Sequence, residues 1–279
     1  MSDLPKPIST YVNRFVEQYN ELGLVTIDDE GLGDIILNKS NQLNNLLMSG
    51  LGAATLILRL GATVNLSGKL AEGDSEDDAL LMKQIIENLR ETLPTDTNWK
   101  TVWQICCDPN SEWSKCVDSE KGGHSLMEKF ITFRNRYVHE AISIQEQHAG
   151  SLINGINIIN EICTEVSSLF SNTELKESEG KYYFINQGKE IDLYPFVQKG
   201  SSDGLPYIFQ GLYNNKSTVE LINTVHGNVE KQDESSHYDN LFNPMVKLLK
   251  GGAGQVFDHR NRIDYYNECF VGRESESKE

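Results

Sequence analysis

Positive charge is scarce in this chain relative to negative. Its 279 residues carry 25 lysines and arginines against 41 aspartates and glutamates, a formal net charge of −16. Binding that spreads along a nucleic-acid backbone needs a basic face, so that class is excluded. Dividing the chain at residue 172 leaves both parts acidic, −11 before and −5 after. Any RNA contact must therefore be focused on a local site. Cysteine is sparse too, and five is an odd number. Residues 1–7 are polar and broken by two prolines, unlike a secretory signal, so reduced thiols in a cytoplasm are expected. Cys106, Cys107, Cys116 and His124 lie close in sequence, but their spacing fits no zinc pattern and no metal is expected there. An unbroken apolar run is also missing. Residues 46–64 come nearest to the roughly twenty that span a bilayer. Gly50, Gly52, Gly61, Ser49 and Arg59 interrupt them, which points to a closely packed central helix and no membrane partner.

With 38% apolar and 24% charged residues the composition is that of a globular protein. Apolar residues at helical spacing predict helices over 9–22, 46–64, a segment opening at Ser75-Glu-Asp-Asp78, 97–107, one opening near Ser125, and 151–170. The acidic stretch 28–34 does not match an EF-hand loop and is expected to be a solvated turn. Beyond residue 173 the period changes. Short aromatic and β-branched runs at 181–185, 190–197, 205–213 and 217–225, separated by glycine- and asparagine-rich turns, predict a small antiparallel sheet. Its aromatics (Tyr182, Phe184, Tyr194, Phe196, Tyr207 and Phe209) suit either a sheet core or base stacking. The expected class is α+β: an all-α helical bundle over 1–172, a small antiparallel β-rich domain over 173–230, and a linker with a C-terminal helical segment over 231–279.

The chemistry gathers in Phe130-Ile-Thr-Phe-Arg-Asn-Arg-Tyr-Val-His-Glu140. Read as a helix, this stretch places Met127, Phe130, Ile131, Tyr137, Val138 and Ala141 on one apolar arc, with Arg134 in its middle. A guanidinium there needs an anion, a carbonyl cluster or a wet cleft. Asn135 and His139, four apart, share one edge. Lys129, Arg134 and Arg136 make an island of positive charge with no carboxylate between residues 129 and 139, which suggests a phosphate ligand. A plainer reading stands beside it, in which Arg134 pairs with an acidic neighbour and His139 faces solvent.

Arg134-Asn135, three residues, then His139 within an amphipathic helix resembles the signature of the HEPN superfamily. HEPN domains are helical bundles, many of them metal-independent endoribonucleases whose dimers join two copies of the motif into one composite site. The resemblance implies an RNA substrate, a homodimer, no cofactor, and cleavage to a 2′,3′-cyclic phosphate and a 5′-hydroxyl. In that chemistry His139 accepts or donates a proton, since histidine titrates near neutral pH. Arg134 offers a planar fork of donors to the phosphate. Asn135 orients the imidazole or binds the phosphate, while Arg136 and Lys129 are substrate-side cations. A HEPN-like module that binds nucleotide or RNA without cutting is the alternative. In a continuous helix Arg134 and His139 would stand about 140° apart, so a kink or a second copy is required. A second resemblance lies at Phe270-Val-Gly-Arg-Glu274, after Tyr265-Tyr266. It looks like the leading segment of P-loop NTPase modules in large signalling ATPases and implies a regulatory ATPase or sensor module as partner. The chain itself has no Walker lysine loop.

Overall fold

The computed structural model describes residues 4–6, 8–24, 29–72, 84–85, 88–89, 94–119, 123–139, 141–194, 196–199 and 207–209. Five helices carry most of them: α1 (Ile8–Glu21), α2 (Asp29–Glu72), α3 (Asp96–Cys106), α4 (Leu126–Val138) and α5 (Ala149–Thr164). A small antiparallel sheet follows, so the chain is α+β and mostly helical. Contacts group residues 1–71, 95–193 and 197–209 in one compact unit; residues 72–94, 194–196 and 210–279 belong to a second. The boundary read at 172 falls inside the first unit, where helix gives way to strand. Of the second unit the structure describes little: Gln84, Ile85, Asn88 and Leu89 are helical, with Ile85 and Leu89 buried. The expected helix start at 75–78, the strand at 217–225 and the segment 231–279 lie outside the described residues.

The 44-residue α2 is the spine of the first unit. It begins at Asp29, so most of the acidic stretch expected to be a turn is helix instead. Acidic residues are favoured in a helix's first turn, where unpaired amides carry partial positive charge. Lys39, at φ −138° and ψ 30°, breaks the helical geometry and kinks α2. From residue 31 to 71 the helix is long and apolar enough to cross a membrane, and 72% of its apolar window is buried inside the fold. Glycine allows this packing. A Cβ at Gly50 would lie 2.6 Å from Ile159 of α5 and 2.7 Å from Phe15 of α1. At Gly61 it would meet the Trp103 ring of α3 at 2.3 Å, and at Gly155 of α5 the Phe133 ring of α4 at 2.1 Å. Helices can approach this closely only where the side chain is a hydrogen.

Thr95 caps α3, its hydroxyl accepting from the Asn98 amide while the Asn98 side chain accepts from the Thr95 amide. This reciprocal cap is worth about 1 kcal/mol. The stripe Trp99, Val102, Trp103 and Cys106 faces inward as its spacing predicts. Helix 151–170 divides. After Thr164 the chain tightens into a 3₁₀ turn, Val166–Phe170, whose three-residue period buries Phe170 and leaves Leu169 half-exposed. Phe170 then forms edge-to-face contacts with Trp113 at 4.9 Å and Phe184 at 6.2 Å, joining helices to sheet.

The sheet centres on β2 (Lys181–Asn186). Strand β1 (Thr173–Ser178), which lacked a strong enough apolar pattern to be anticipated, pairs along one edge. The single strand expected over 190–197 is two, β3 (Lys189–Asp192) and β4 (Val197–Lys199), which share the other edge. β5 (Tyr207–Phe209) pairs with β4. Two-residue turns at Glu179-Gly180 and Gln187-Gly188 have positive φ at both positions, the geometry whose twist suits a tight hairpin. Tyr182, Phe184 and Phe196 are buried, which removes them as base-stacking platforms. Of the other aromatics, Tyr194 and Phe209 are half-buried, and the Tyr207 side chain lies outside the description.

Four cysteines are buried free thiols. Burial pushes the Cys106, Cys116 and Cys163 thiols up to about 12 from an ordinary 9.0. Below pH 9 both folded and unfolded thiols are protonated, and the stability tied to them is complete. As pH rises from 9 through about 12, the unfolded chain releases protons the native state retains, so stability falls. Iodoacetamide at pH 8 should accordingly leave these three thiols unmodified in native protein and label them in urea. Rapid native labelling, read by mass spectrometry, would contradict their burial.

Candidate functional site

Ser125 caps α4 by accepting from the Glu128 amide. His124 lies just outside, exposed, with Nδ1 3.2 Å from Glu128 Oε2. The hydrogen bond from His124 holds the Glu128 carboxyl below its usual range. The buried face of α4 is Met127, Phe130, Ile131 and Phe133. The arc expected to include Val138 and Ala141 is thus rotated: both are exposed, Val138 by 53%. Phe133 takes the interior position because Gly155 leaves room for its ring. Tyr137 stays half-buried, stacks near Phe133 with ring centroids 6.1 Å apart, and donates to Asn44 Oδ1 of α2 at 3.1 Å.

Arg134 does find an anion, and that anion is internal. Its Nε sits 3.0 Å from Asp96 Oδ2. Asp96, the first residue of α3, has a side chain only 2% exposed. Its other oxygen accepts from Arg59 Nε at 3.2 Å and Nη2 at 2.9 Å. The Arg134 contact is close enough for an ion pair but lacks hydrogen-bond alignment, so Oδ2 has no directed donor. One carboxylate therefore holds two guanidiniums, each about a third exposed. Neither Asp96 nor the paired role of Arg59 was anticipated. Asp96 lies 38 residues from Arg134 and carries the ordinary signal of an acidic first helical turn.

The remaining motif residues do not converge on one point. Arg134 Nη1 donates to Asn135 Oδ1 at 3.2 Å, so Asn135 contacts the arginine rather than the histidine. α4 ends at Val138 and His139 is its cap, which replaces the continuous helix of the sequence reading. The His139 amide donates to the Asn135 carbonyl, and the Ala141 and Ile142 amides both donate to the Arg136 carbonyl, closing the helix end. Asn135, Arg136 and His139 are exposed, and so is Lys129, five residues before Arg134. No hydrogen bond holds the His139 ring among the described residues. In the following loop the Ser143 amide donates to His148 Nδ1 at 3.1 Å, which makes that nitrogen an acceptor. No cluster of three or more His, Cys, Asp or Glu side chains suited to a metal occurs among the described residues.

Arg134 opens on a cleft of about 940 Å³ between α1, α2, α4 and the loop after α4. Arg14 and Arg59 also line it, with Tyr11 and Tyr137, and no carboxylate is among its described lining residues. Asn135 and His139 lie outside the lining. No family model matches the chain, nor does any curated protein or solved structure.

Proposed function

We propose that the chain is a cytoplasmic, metal-independent endoribonuclease with a HEPN-like helical bundle, acting at a site composed from two copies as a toxin-like effector in defence or stress. The observation that carries this reading is the state of the α4 terminus. Arg134 is held against a buried carboxylate, while Asn135, Arg136 and His139 stand exposed within the next five residues. A guanidinium already fixed by Asp96 needs little reordering to meet a phosphate. A free imidazole at the exposed helix end is available to a substrate lying across a second copy.

In the reaction, His139 of one copy takes the proton from a ribose 2′-hydroxyl as its oxygen attacks the adjacent phosphorus. Arg134 balances the negative charge that grows on the phosphorane. The bond to the 5′-oxygen breaks, that oxygen takes up a proton, and a 2′,3′-cyclic phosphate and a 5′-hydroxyl remain. Arg136 and Lys129 hold flanking phosphates. A regulatory ATPase or sensor partner rests on residues 265–274, outside the described residues. The Asp96 pairing favours one other reading, a noncatalytic HEPN-like binding module in which Arg134 is committed to the fold.

Cleavage of labelled RNA in EDTA separates the two. His139→Ala should abolish formation of cyclic-phosphate ends. Arg134→Lys keeps a cation beside Asp96 and so preserves the fold, but loses the planar fork, and it should be similarly inactive. Mixing these two inactive variants should restore part of the activity if Arg134 and His139 act from different copies. Equal cleavage by wild type and both variants would overturn the assignment. RNA binding without cleavage by wild type would leave the binding module.

A further inference from the structure

We propose that Arg59 of α2 is a second arginine of the cleavage site, gripping the scissile phosphate beside Arg134; this rests on the endoribonuclease reading and deepens it. Arg59 lies in the apolar stretch of α2, between Leu58 and Leu60, both fully buried. A guanidinium is sustained there only by an anion or by water. Asp96 is that anion, its Oδ1 accepting from Arg59 Nε at 3.2 Å and Nη2 at 2.9 Å.

One arginine is enough to balance one buried carboxylate. Arg134 is a second, with Nε 3.0 Å from Oδ2 of the same group. Two positive charges against one negative leave a positive charge over. Both guanidiniums line the cleft, where no carboxylate stands among the described lining residues. A surplus cation kept at a cleft wall, in a chain of net charge −16, is matched by one phosphodiester.

Arg59 has the better ordered fork of the two. A guanidinium carries five N–H donors. Arg59 spends two of them on Asp96 in directed hydrogen bonds, and no other side-chain bond holds it among the described residues. Arg134 meets Oδ2 without hydrogen-bond alignment and gives one donor to Asn135 Oδ1. Two forks on one carboxylate can take the two non-bridging oxygens of one phosphate. As the 2′-oxygen adds, a further negative charge develops on those oxygens, and donors already in place meet it without reorganisation. Asp96 touches no substrate; it is the positioning residue for both arginines.

Cleavage of labelled single-stranded RNA by the full chain in EDTA, with kcat and KM measured separately, tests this. Arg59→Lys keeps a cation beside Asp96 and loses the planar fork. It should lower kcat about tenfold or more while KM changes less than about threefold. Arg59→Gln should lower kcat at least as far, and Arg134 remains there to balance Asp96. Matching melting curves establish that both variants are folded. An RNA made uncleavable by a 2′-deoxyribose at the cut position gives a second readout, one that a merely structural arginine would not move. Replacing its scissile phosphate by a neutral methylphosphonate should weaken wild-type binding about tenfold and Arg59→Gln binding several-fold less. The inference alone is overturned if His139→Ala is inactive while both Arg59 variants cut like wild type, or if the methylphosphonate weakens wild type and Arg59→Gln equally. A wild type that forms no cyclic-phosphate ends overturns the endoribonuclease reading and this inference with it.

Discussion

Asp96→Asn should destabilise the first unit by about 2–4 kcal/mol, measured by urea unfolding, although the change adds no volume. The carboxylate is 2% exposed and is the shared counter-ion of Arg59 and Arg134. Removing its charge leaves two guanidiniums facing one neutral amide. Losing one member of a buried pair typically costs about 3–5 kcal/mol. Both arginines here are about a third exposed, so water recovers part of that cost. Adding Arg59→Met to Asp96→Asn should recover stability, because one of the two unbalanced charges is then gone. Sulfate should stabilise Asp96→Asn more than chloride at equal ionic strength, since an anion entering the cleft can replace the lost carboxylate. A loss below about 1 kcal/mol, with no preference for sulfate, would mean that the triad is only a surface ion pair.

This pairing marks the limit of what the sequence discloses. A guanidinium within an apolar stretch must meet an anion, a carbonyl cluster or water, and that requirement follows from residues 127–138 alone. The identity of the anion does not, because Asp96 meets Arg134 only after α2, α3 and α4 have packed. The inward face of α3 was legible because two tryptophans and a valine repeat at helical spacing. The face of α4 was legible only in part. Phe133 and Val138 are both apolar, and the choice between them rests on the missing side chain at Gly155, on another helix. The α+β division showed in the change of period near residue 173. β1, mostly polar and charged, owes its place to pairing with β2 and to the positive-φ turn at Glu179-Gly180. The cleft was not legible at all, since its three arginines come from three helices.

Gly61→Ala should cost about 3 kcal/mol, near the upper end of what overpacking does, for the addition of one methyl group. The new Cβ would fall 2.3, 2.4 and 2.7 Å from three atoms of the Trp103 ring. That ring is fully buried and its helix is capped, so it has no solvent to swing into. The relief available is separation of α2 from α3. Gly33 provides the control within the same helix, because a Cβ there meets nothing within 4 Å. Gly33→Ala should instead stabilise by about 0.5–1 kcal/mol through backbone entropy alone. Opposite signs for one chemical change in one helix would tie the loss to Trp103, and Gly61→Ala with Trp103→Leu should regain part of it. Arg59 lies two residues before Gly61, and Asp96 shares α3 with Trp103, so the same separation would draw Arg59 away from Asp96. Gly61→Ala and Asp96→Asn should then be less than additive in a double-mutant cycle. Additive losses would mean that the helix spacing set at Gly61 does not hold the arginine triad together.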